Sequence, residues 1–391
     1  MSVDFNRVAD SRDNMASPPV RLRVGILGAG LVAQTIHLPN LSLVSHLYKV
    51  TAICDISQKN VDHCASKFHI PHATTNAEEI FKSPNVDVVF ILTSDEFHEP
   101  YVISAIEAGK HVLVEKPLSL SIPSAQRIID ASKKHPDSVV FVGYMRRYAK
   151  SFTQTFKREV ATIPRILYAR VRDFPGPNPR FVDESGTFMV ENTKDIPVSA
   201  GEERNRRLDV LFKEAFPDQE VTEEKKKACR FFGSLGSHDI SLMREAIGFP
   251  ESVAGVAFNE PFYNAIFNFR NRSGGKEPYS VTYESGIDEV FDFDAHVAVY
   301  GENKRVFIQY DSPFVKGLPI KVTVQENNQY GEFESREVLG SYVDAFTEEL
   351  QELYDCVVNG KEVKTTVEDA IQDLRIYDMM YKKWNEQGSG R

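Results

Sequence analysis

The residues best suited to chemistry stand directly after a short apolar run, at Glu115-Lys116-Pro117. The run itself, His111-Val-Leu-Val114, predicts a buried strand. Open α/β sheets bind ligands at the carboxyl ends of their strands, so a lysine there can hold an ammonium beside a bound substrate. The proline that follows limits how this peptide can move. The alternative is a solvated ion pair at a surface strand end.

The second chemical feature is a glycine pattern, Gly28-Ala-Gly30-Leu-Val-Ala33, between a predicted strand at 22–27 and a predicted helix. In that setting, G-x-G-x-x-A is typical of a loop that binds the pyrophosphate of a dinucleotide. Gly28 permits the tight turn, and Gly30 lets the backbone approach the phosphates. The phosphates then meet the free amides at the start of the helix, those of Leu31 and Val32.

An acidic residue, Asp55, ends the next predicted strand, 25 residues after Gly30. A carboxylate in that position can accept hydrogen bonds from the adenosine ribose hydroxyls, and it repels a 2′-phosphate. No arginine follows Asp55 directly, which favours NAD over NADP, although Lys59 leaves room for NADP. The alternative for Asp55 is an ordinary helix cap before Ser57.

Predicted strands and helices alternate from residue 22 to residue 142. This alternation predicts a doubly wound parallel sheet. The strand at 86–92 ends at Thr93-Ser94, and His98 follows in the loop or in the first helical turn. The pattern changes to successive strands between residues 251 and 326.

Composition excludes several functional classes. The chain has 391 residues and a formal net charge of -10, which argues against a nucleic-acid-binding surface because phosphate neutralisation needs a basic face. We find no uninterrupted apolar stretch of about 18 residues, so no membrane partner is expected. The amino terminus lacks the apolar core of a secretory signal. We therefore expect a cytoplasmic protein that acts on a small molecule.

Potential metal ligands do not form a convincing set. The four cysteines lack metal-ligand spacing and are interpreted as reduced thiols: Cys54, Cys64, Cys229 and Cys356. Three further candidates share the polar face of the predicted strand at 291–299: Asp292, Asp294 and His296. Solvated sheet residues explain that face, since no fourth ligand is apparent. We predict no bound metal.

The combined motifs resemble those of the Gfo/Idh/MocA-type oxidoreductases, which include glucose-fructose oxidoreductase and inositol dehydrogenase. The resemblance rests on the glycine pattern, on Asp55 and on the segment from Thr93 to His98. Its most specific part is Ala108-Gly-Lys-His-Val-Leu-Val-Glu-Lys-Pro117. It is close over residues 21 to about 150. It implies an α/β protein with an N-terminal Rossmann domain and a C-terminal α+β domain containing a large, open, mostly antiparallel sheet. That sheet often serves as an oligomer interface, so a homodimer or homotetramer is expected.

The resemblance also suggests how the chain is divided. We predict a flexible tail at 1–20, an NAD-binding Rossmann domain at 21–143 and a substrate and oligomerisation domain at 144–391. Within the last, 174–230 is interpreted as a variable insertion that could shape the substrate pocket, and amphipathic helices are expected near 342–358 and 366–385.

Four residues of the second domain become candidates through the resemblance. Arg146 and Arg147 lie where the family chain crosses between its domains, and they could hold substrate hydroxyls or a carboxylate. The alternative for both is a solvated helix start. His238 takes the histidine position of the family's D-x-x-x-H pattern, but Ser234 stands where the aspartate is expected. Asp239 does not simply replace that aspartate, because it points elsewhere around the helix.

The resemblance implies an NAD(P)-dependent dehydrogenase or reductase acting on a secondary alcohol of a sugar, cyclitol or related polyol. His238 would be the general base, and Lys116 would stabilise the developing alkoxide. Candidate cofactor contacts are Gly28, Gly30, Leu31, Val32, Asp55, Thr93, Ser94, His98, Glu115 and Lys116. Candidate substrate contacts are Arg146, Arg147, Ser234 and His238. The alternatives are an NAD-dependent glycosidase that uses transient ring oxidation and a non-catalytic NAD-binding sensor of the same fold.

Overall fold

A computed structural model describes residues 20–271 and 276–388 of the chain. Its first sheet has six parallel strands in the order β3-β2-β1-β4-β5-β6. These strands are β1 (Leu22–Leu27), β2 (Tyr48–Cys54), β3 (His72–Thr74), β4 (Val88–Ile91), β5 (His111–Glu115) and β6 (Val140–Gly143). The predicted doubly wound sheet is therefore confirmed. Except for Val20, the predicted tail at 1–20 lies outside the described residues.

Helices cover both faces of this sheet, as the alternating pattern requires. They are α1 (Leu38–Leu43), α2 (Gln58–Phe68), α3 (Ala77–Phe81), α4 (His98–Glu107) and α5 (Ile122–Lys134). A π-helical turn at Ala33–His37 precedes α1, and a 3-10 turn at Asp95–Phe97 precedes α4. Because all six strands are parallel, the segments that follow β1, β4 and β5 emerge at one edge of the sheet.

The second sheet has eight strands in the order β14-β13-β12-β11-β7-β10-β9-β8. The strands are β7 (Ile166–Pro175), β8 (Ser252–Asn259), β9 (Phe262–Arg270), β10 (Pro278–Gly286), β11 (Phe293–Gly301), β12 (Lys304–Tyr310), β13 (Lys321–Asn327) and β14 (Phe333–Leu339). Only β7 and β10 pair in parallel; the other neighbouring pairs are antiparallel. The predicted large, mostly antiparallel C-terminal sheet is thus confirmed.

Helices also pack against the second sheet and form much of the predicted insertion. They are α6 (Lys157–Ala161), α7 (Asn178–Glu184), α8 (Val198–Ala215), α9 (Glu223–Phe231), α10 (Ser237–Ile247), α11 (Ala345–Val358) and α12 (Val367–Gly388). A 3-10 turn at Met145–Arg147 and a π-helical turn at Ser151–Phe156 precede α6, and a π-helical turn at Phe232–Gly236 precedes α10. None of the helices within the described ranges is long and apolar enough to cross a membrane.

Helix α11 returns from the second sheet and packs against the first. Tyr48 Oη on β2 donates a hydrogen bond of 2.7 Å to the carbonyl oxygen of Leu350. Leu350 and Leu353 share a buried cluster with residues of the first sheet such as Val24 and Phe90. The first sheet ends with β6 at Gly143 and the second begins with β7 at Ile166, but the core of the first sheet includes a helix from the far end of the chain.

Candidate active site

A cavity of about 510 Å³ opens where the carboxyl edge of the first sheet meets the second sheet. It begins beside Leu31 and Val32, which open the helical segment after the glycine loop, and it extends to α10. Five titratable side chains line it: Asp95, Glu115, Lys116, Arg146 and His238. The structure thus brings most of the predicted site residues into one cavity.

Lys116 follows β5 directly and is half-buried. Its Nζ donates a hydrogen bond of 2.5 Å to the main-chain carbonyl oxygen of Ser234. Burial lowers the pKa of Lys116 below its ordinary value, and Glu115 and Asp95 oppose that shift while Arg146 adds to it. Ser234 therefore holds the lysine through its main-chain carbonyl oxygen, and this contact does not depend on the type of side chain at position 234. The Lys116-Pro117 peptide is cis.

A glycine allows this contact between two distant parts of the chain. A Cβ on Gly233 would lie only 2.5 Å from Leu120 Cδ2 and 3.2 Å from Pro117 Cγ. The π-helical turn at Phe232–Gly236 packs closely against the segment after Lys116, and a side chain at position 233 would force Leu120 to move. Such turns are frequent at functional sites.

Glu115 anchors the other side of the lysine backbone. Its Oε1 lies 2.7 Å from Nε2 of the buried His37, and its Oε2 accepts a hydrogen bond of 3.2 Å from the Lys116 amide. Burial alone would raise the pKa of Glu115, but the hydrogen bond with His37 and the charge of Lys116 outweigh it and lower the pKa. An ionised Glu115 therefore stands beside the ammonium of Lys116.

His238 lies in the first turn of α10 and lines the cavity opposite β5. Burial, reinforced by the positive charges of Lys116 and Arg146, lowers the pKa of His238 well below its ordinary value. Its Nδ1 is buried and makes no hydrogen bond within the described part of the chain. The imidazole is therefore neutral at neutral pH, and it has unused hydrogen-bonding capacity beside the cavity.

Two buried carboxyl groups hold Arg146 in place. Its Nη1 lies 2.9 Å from Asp173 Oδ2 and 2.5 Å from Asp239 Oδ1. Burial raises the pKa of Asp239 well above its ordinary value, and the neighbouring Asp173 adds to the shift. The raised pKa keeps Asp239 protonated to a higher pH than an ordinary aspartate, which reduces the negative charge buried around Arg146. Asp239 points at Arg146 and is not part of the cavity lining.

Sequence reasoning missed two acids of this site. Asp173 lies on the buried face of β7, on which Ala169 and Val171 are fully enclosed. The alternation of this strand could therefore have identified Asp173 as a buried acid. Asp95 lines the cavity after β4, directly beyond the predicted Thr93 and Ser94. Burial raises the pKa of Asp95 above its ordinary value, whereas His98 and Lys116 lower it.

The glycine loop has the geometry that a dinucleotide requires. Gly28 adopts a φ of +100°, and a Cβ there would lie 2.6 Å from the carbonyl oxygen of Leu92. By contrast, a Cβ on Gly30 would meet nothing within 4 Å, so this side of the loop is open to a ligand. Helical structure begins at Leu31, whose turn leaves amides without intrahelical partners. These features fit a bound pyrophosphate.

Asp55 organises the same loop from the end of β2. Its Oδ2 accepts a hydrogen bond of 2.7 Å from the Ala29 amide, and its Oδ1 accepts one of 2.9 Å from the Ser57 amide. Each carboxylate oxygen has a second lone pair, so these backbone contacts leave acceptor capacity for ribose hydroxyls.

The other candidates divide into cavity residues and supporting residues. Thr93 lines the cavity, and its buried hydroxyl has no hydrogen-bond partner among residues 20–271 and 276–388. His98 is buried between two carbonyl oxygens, with Nδ1 2.7 Å from that of Pro117 and Nε2 3.0 Å from that of Thr93. It therefore joins the loop after β4 to the segment after β5. Ser94 Oγ donates to Glu96 Oε1.

The structure does not bring Arg147 to the cavity. Its Nε donates a hydrogen bond of 2.6 Å to Glu245, and its guanidinium also pairs with Asp369 on α12. Arg146 and Arg147 are both buried, so a solvated helix start describes neither of them. Arg147 therefore links α10 to α12 and lies outside the cavity.

Within the described residues, no group of three or more histidine, cysteine, aspartate or glutamate side chains could hold a metal ion. Asp294 and His296 pair with each other at 2.7 Å, and Arg172 lies 3.1 Å from Asp294. All four cysteines are buried, and none of them forms a disulfide.

Comparison with known proteins yields two family matches. The model of the oxidoreductase family (GFO_IDH_MocA), NAD-binding Rossmann fold, matches residues 22–144, and that of its C-terminal alpha/beta domain matches residues 214–389. A myo-inositol 2-dehydrogenase of Thermotoga maritima is 26% identical over 379 residues, which cover 94% of this chain and 98% of the relative. An inositol 2-dehydrogenase/D-chiro-inositol 3-dehydrogenase of Shouchella clausii is 34% identical over 135 residues, 34% of this chain and 38% of the relative.

Solved structures share the fold across nearly the whole chain. A myo-inositol 2-dehydrogenase from Lactobacillus plantarum superposes with a TM-score of 0.66 at 21% identity, covering 94% of this chain and 98% of its own. A 3-ketoreductase from Actinomadura kijaniata, solved with NADP and TDP-benzene, has a TM-score of 0.67 at 16% identity, with coverage of 93% and 98%. Identities this low establish the fold alone.

Proposed function

The chain belongs to the Gfo/Idh/MocA oxidoreductase family, and from that premise we propose that it transfers hydride between a nicotinamide dinucleotide and a secondary alcohol. The alcohol belongs to a cyclitol, a sugar or a related polyol. The observation that carries the proposal is the meeting of Lys116 and His238 in one cavity that begins at the glycine-loop helix. The names of the inositol dehydrogenase relatives support a cyclitol as the first substrate to try.

The residues of this chain would handle the proton and the orientation of the substrate. When bound, the nicotinamide would accept the two electrons of the alcohol as a hydride. His238, neutral because its pKa is low, takes the hydroxyl proton as general base. Lys116 donates a hydrogen bond to the same oxygen and stabilises the negative charge that develops there. Arg146, fixed by Asp173 and Asp239, presents a guanidinium for a neighbouring hydroxyl.

We propose NAD as the preferred cofactor. Asp55 at the end of β2 supports this choice, because its carboxylate can accept the ribose hydroxyls but repels a 2′-phosphate. Leu31 and Val32 would contribute their amides to the pyrophosphate, and Thr93 would contact the nicotinamide. A cytoplasmic location and a homodimeric or homotetrameric state stay predictions.

Gly30→Asp tests the cofactor site. The new carboxylate would enter the open space that the pyrophosphate needs, so we expect NADH affinity to fall by at least about tenfold. The fold should persist, because a Cβ at this position meets nothing within 4 Å. Titration with NADH, followed by nicotinamide fluorescence, measures the effect.

Gly201→Asp is the matched control, since a Cβ on this exposed glycine of α8 also meets nothing within 4 Å. It should bind NADH like the wild type. Equal binding by the Gly30→Asp variant, or no binding of NADH or NADPH by the wild type, would refute the proposed cofactor site.

A further inference from the structure

The segment 188–195, here called the strap, is part of the insertion and packs against the dinucleotide-binding half of the first sheet. The Val190 amide donates a hydrogen bond of 2.9 Å to Gln34 Oε1, and Gln34 Nε2 donates one of 2.8 Å to the Val190 carbonyl oxygen. The Asn192 amide donates one of 2.8 Å to Asn60 Oδ1 on α2. The strap is therefore fastened both to the helical segment after the glycine loop and to α2.

The strap ends with a carboxylate at the start of α2. Asp195 Oδ1 accepts a hydrogen bond of 2.7 Å from Ser57 Oγ, and its Oδ2 accepts one of 3.0 Å from the Lys59 amide. The bond from the Lys59 amide, together with that from Ser57, lowers the pKa of Asp195 below its ordinary value. Ser57 is the N-cap of α2. Free amides and the helix dipole make such a position favourable for an anion, and here the chain supplies the anion itself.

Asp195 lies next to the carboxylate that is expected to contact the adenosine ribose. The Ser57 amide donates to Asp55 Oδ1 at 2.9 Å, while the hydroxyl of the same serine donates to Asp195. Asp55 and Asp195 thus stand on either side of one residue. In dinucleotide-binding folds, a 2′-phosphate must be accommodated beside the acidic position at the end of β2. In this chain a second negative charge occupies that neighbourhood.

We propose that Asp195 is a second determinant of cofactor choice, which excludes the 2′-phosphate of NADP by filling the anion-binding start of α2. This inference rests on the proposed dinucleotide-dependent function. It also accounts for Lys59, the residue that leaves room for NADP in the sequence. The amide of Lys59 donates a hydrogen bond to Asp195, and the positive charge of Lys59 helps to lower the pKa of that carboxyl group.

Asp195→Asn tests the role of the charge. The amide keeps one acceptor oxygen, so part of the hydrogen bonding at the start of α2 persists while the charge is lost. We expect the affinity for NADPH relative to NADH to rise about tenfold. Fluorescence titrations with NADH and with NADPH at low ionic strength measure the ratio. The gain should shrink in high salt, because exposed charges are screened.

Asp183→Asn is the matched control, because it removes the same charge from an exposed site on α7 in the same insertion. It should leave the ratio unchanged. Asp195→Ala, which also removes the hydrogen bonds, should shift the ratio in the same direction as Asp195→Asn. An unchanged ratio in both Asp195 variants, with NADH binding intact, would overturn the inference. Failure of the wild type to bind either cofactor would instead refute the proposed function.

Discussion

Lys116→Ala is expected to lower kcat for alcohol oxidation by about 100- to 1000-fold, the usual cost of removing one preorganised donor to a developing oxyanion. NADH affinity should change little, because the pyrophosphate and ribose contacts proposed above lie elsewhere. The lysine is held by its place at the end of β5, by the ionised Glu115 and by the Ser234 carbonyl oxygen. It is the one lysine that lines the cavity within the described residues, so its loss removes the ammonium from this site. Steady-state kinetics and NADH titration of the same preparation separate the two effects.

Lys110→Ala is the matched control for that variant. Lys110 stands just before the same strand, at its opposite end, where its Nζ donates to the carbonyl oxygens of Ser83 and Val86 at 2.7 and 2.9 Å. It should retain the wild-type kcat. A Lys116→Ala variant that turns over normally would remove the lysine from the mechanism.

His238→Asn is expected to lower kcat by about 100- to 10,000-fold, the range that positioned general bases contribute. The wild-type pH profile provides a second readout. Because the pKa of His238 is well below its ordinary value of 6.5, the base is already neutral at neutral pH. The rate of oxidation should therefore stay level as the pH falls through 6.5 and should decline only well below it. The variant should lose this acidic limb.

His46→Asn serves as the control, since His46 is exposed and lies outside the cavity. Its kinetics and pH profile should match those of the wild type. An unchanged acidic limb in the His238→Asn variant would assign the base to another group, and Asp95 would be the next candidate.

Local signals made much of the fold and part of the site predictable from the sequence. The glycine loop, Asp55 and Lys116 each stand at a strand end, and the strand periodicity locates them without any knowledge of long-range contacts. The strand ends are features that a short stretch of chain determines by itself. His238, by contrast, was identified through the family resemblance, from its place in the D-x-x-x-H pattern.

The remaining features of the site depend on contacts between distant segments. The Ser234 carbonyl oxygen meets Lys116 only because a π-helical turn packs closely at Gly233, which the spacing of side chains does not reveal. The partners of Arg146 come from β7 and α10, and Asp195 of the strap lies 138 residues after Ser57, the serine to which it binds. Likewise, only the fold distinguishes Arg146 from Arg147, because both are buried arginines of one short turn.

We propose above that this cavity places a secondary alcohol beside a nicotinamide for hydride transfer. The most direct measurement incubates the protein and NAD with cyclitols and sugars deuterated on carbon, starting with myo-inositol, and analyses the nicotinamide by mass spectrometry. We expect a substrate to deliver one deuterium to the nicotinamide ring, and we expect the Lys116→Ala variant to slow this transfer at least about 100-fold. Bound NAD that acquires no deuterium from any member of the panel would contradict it.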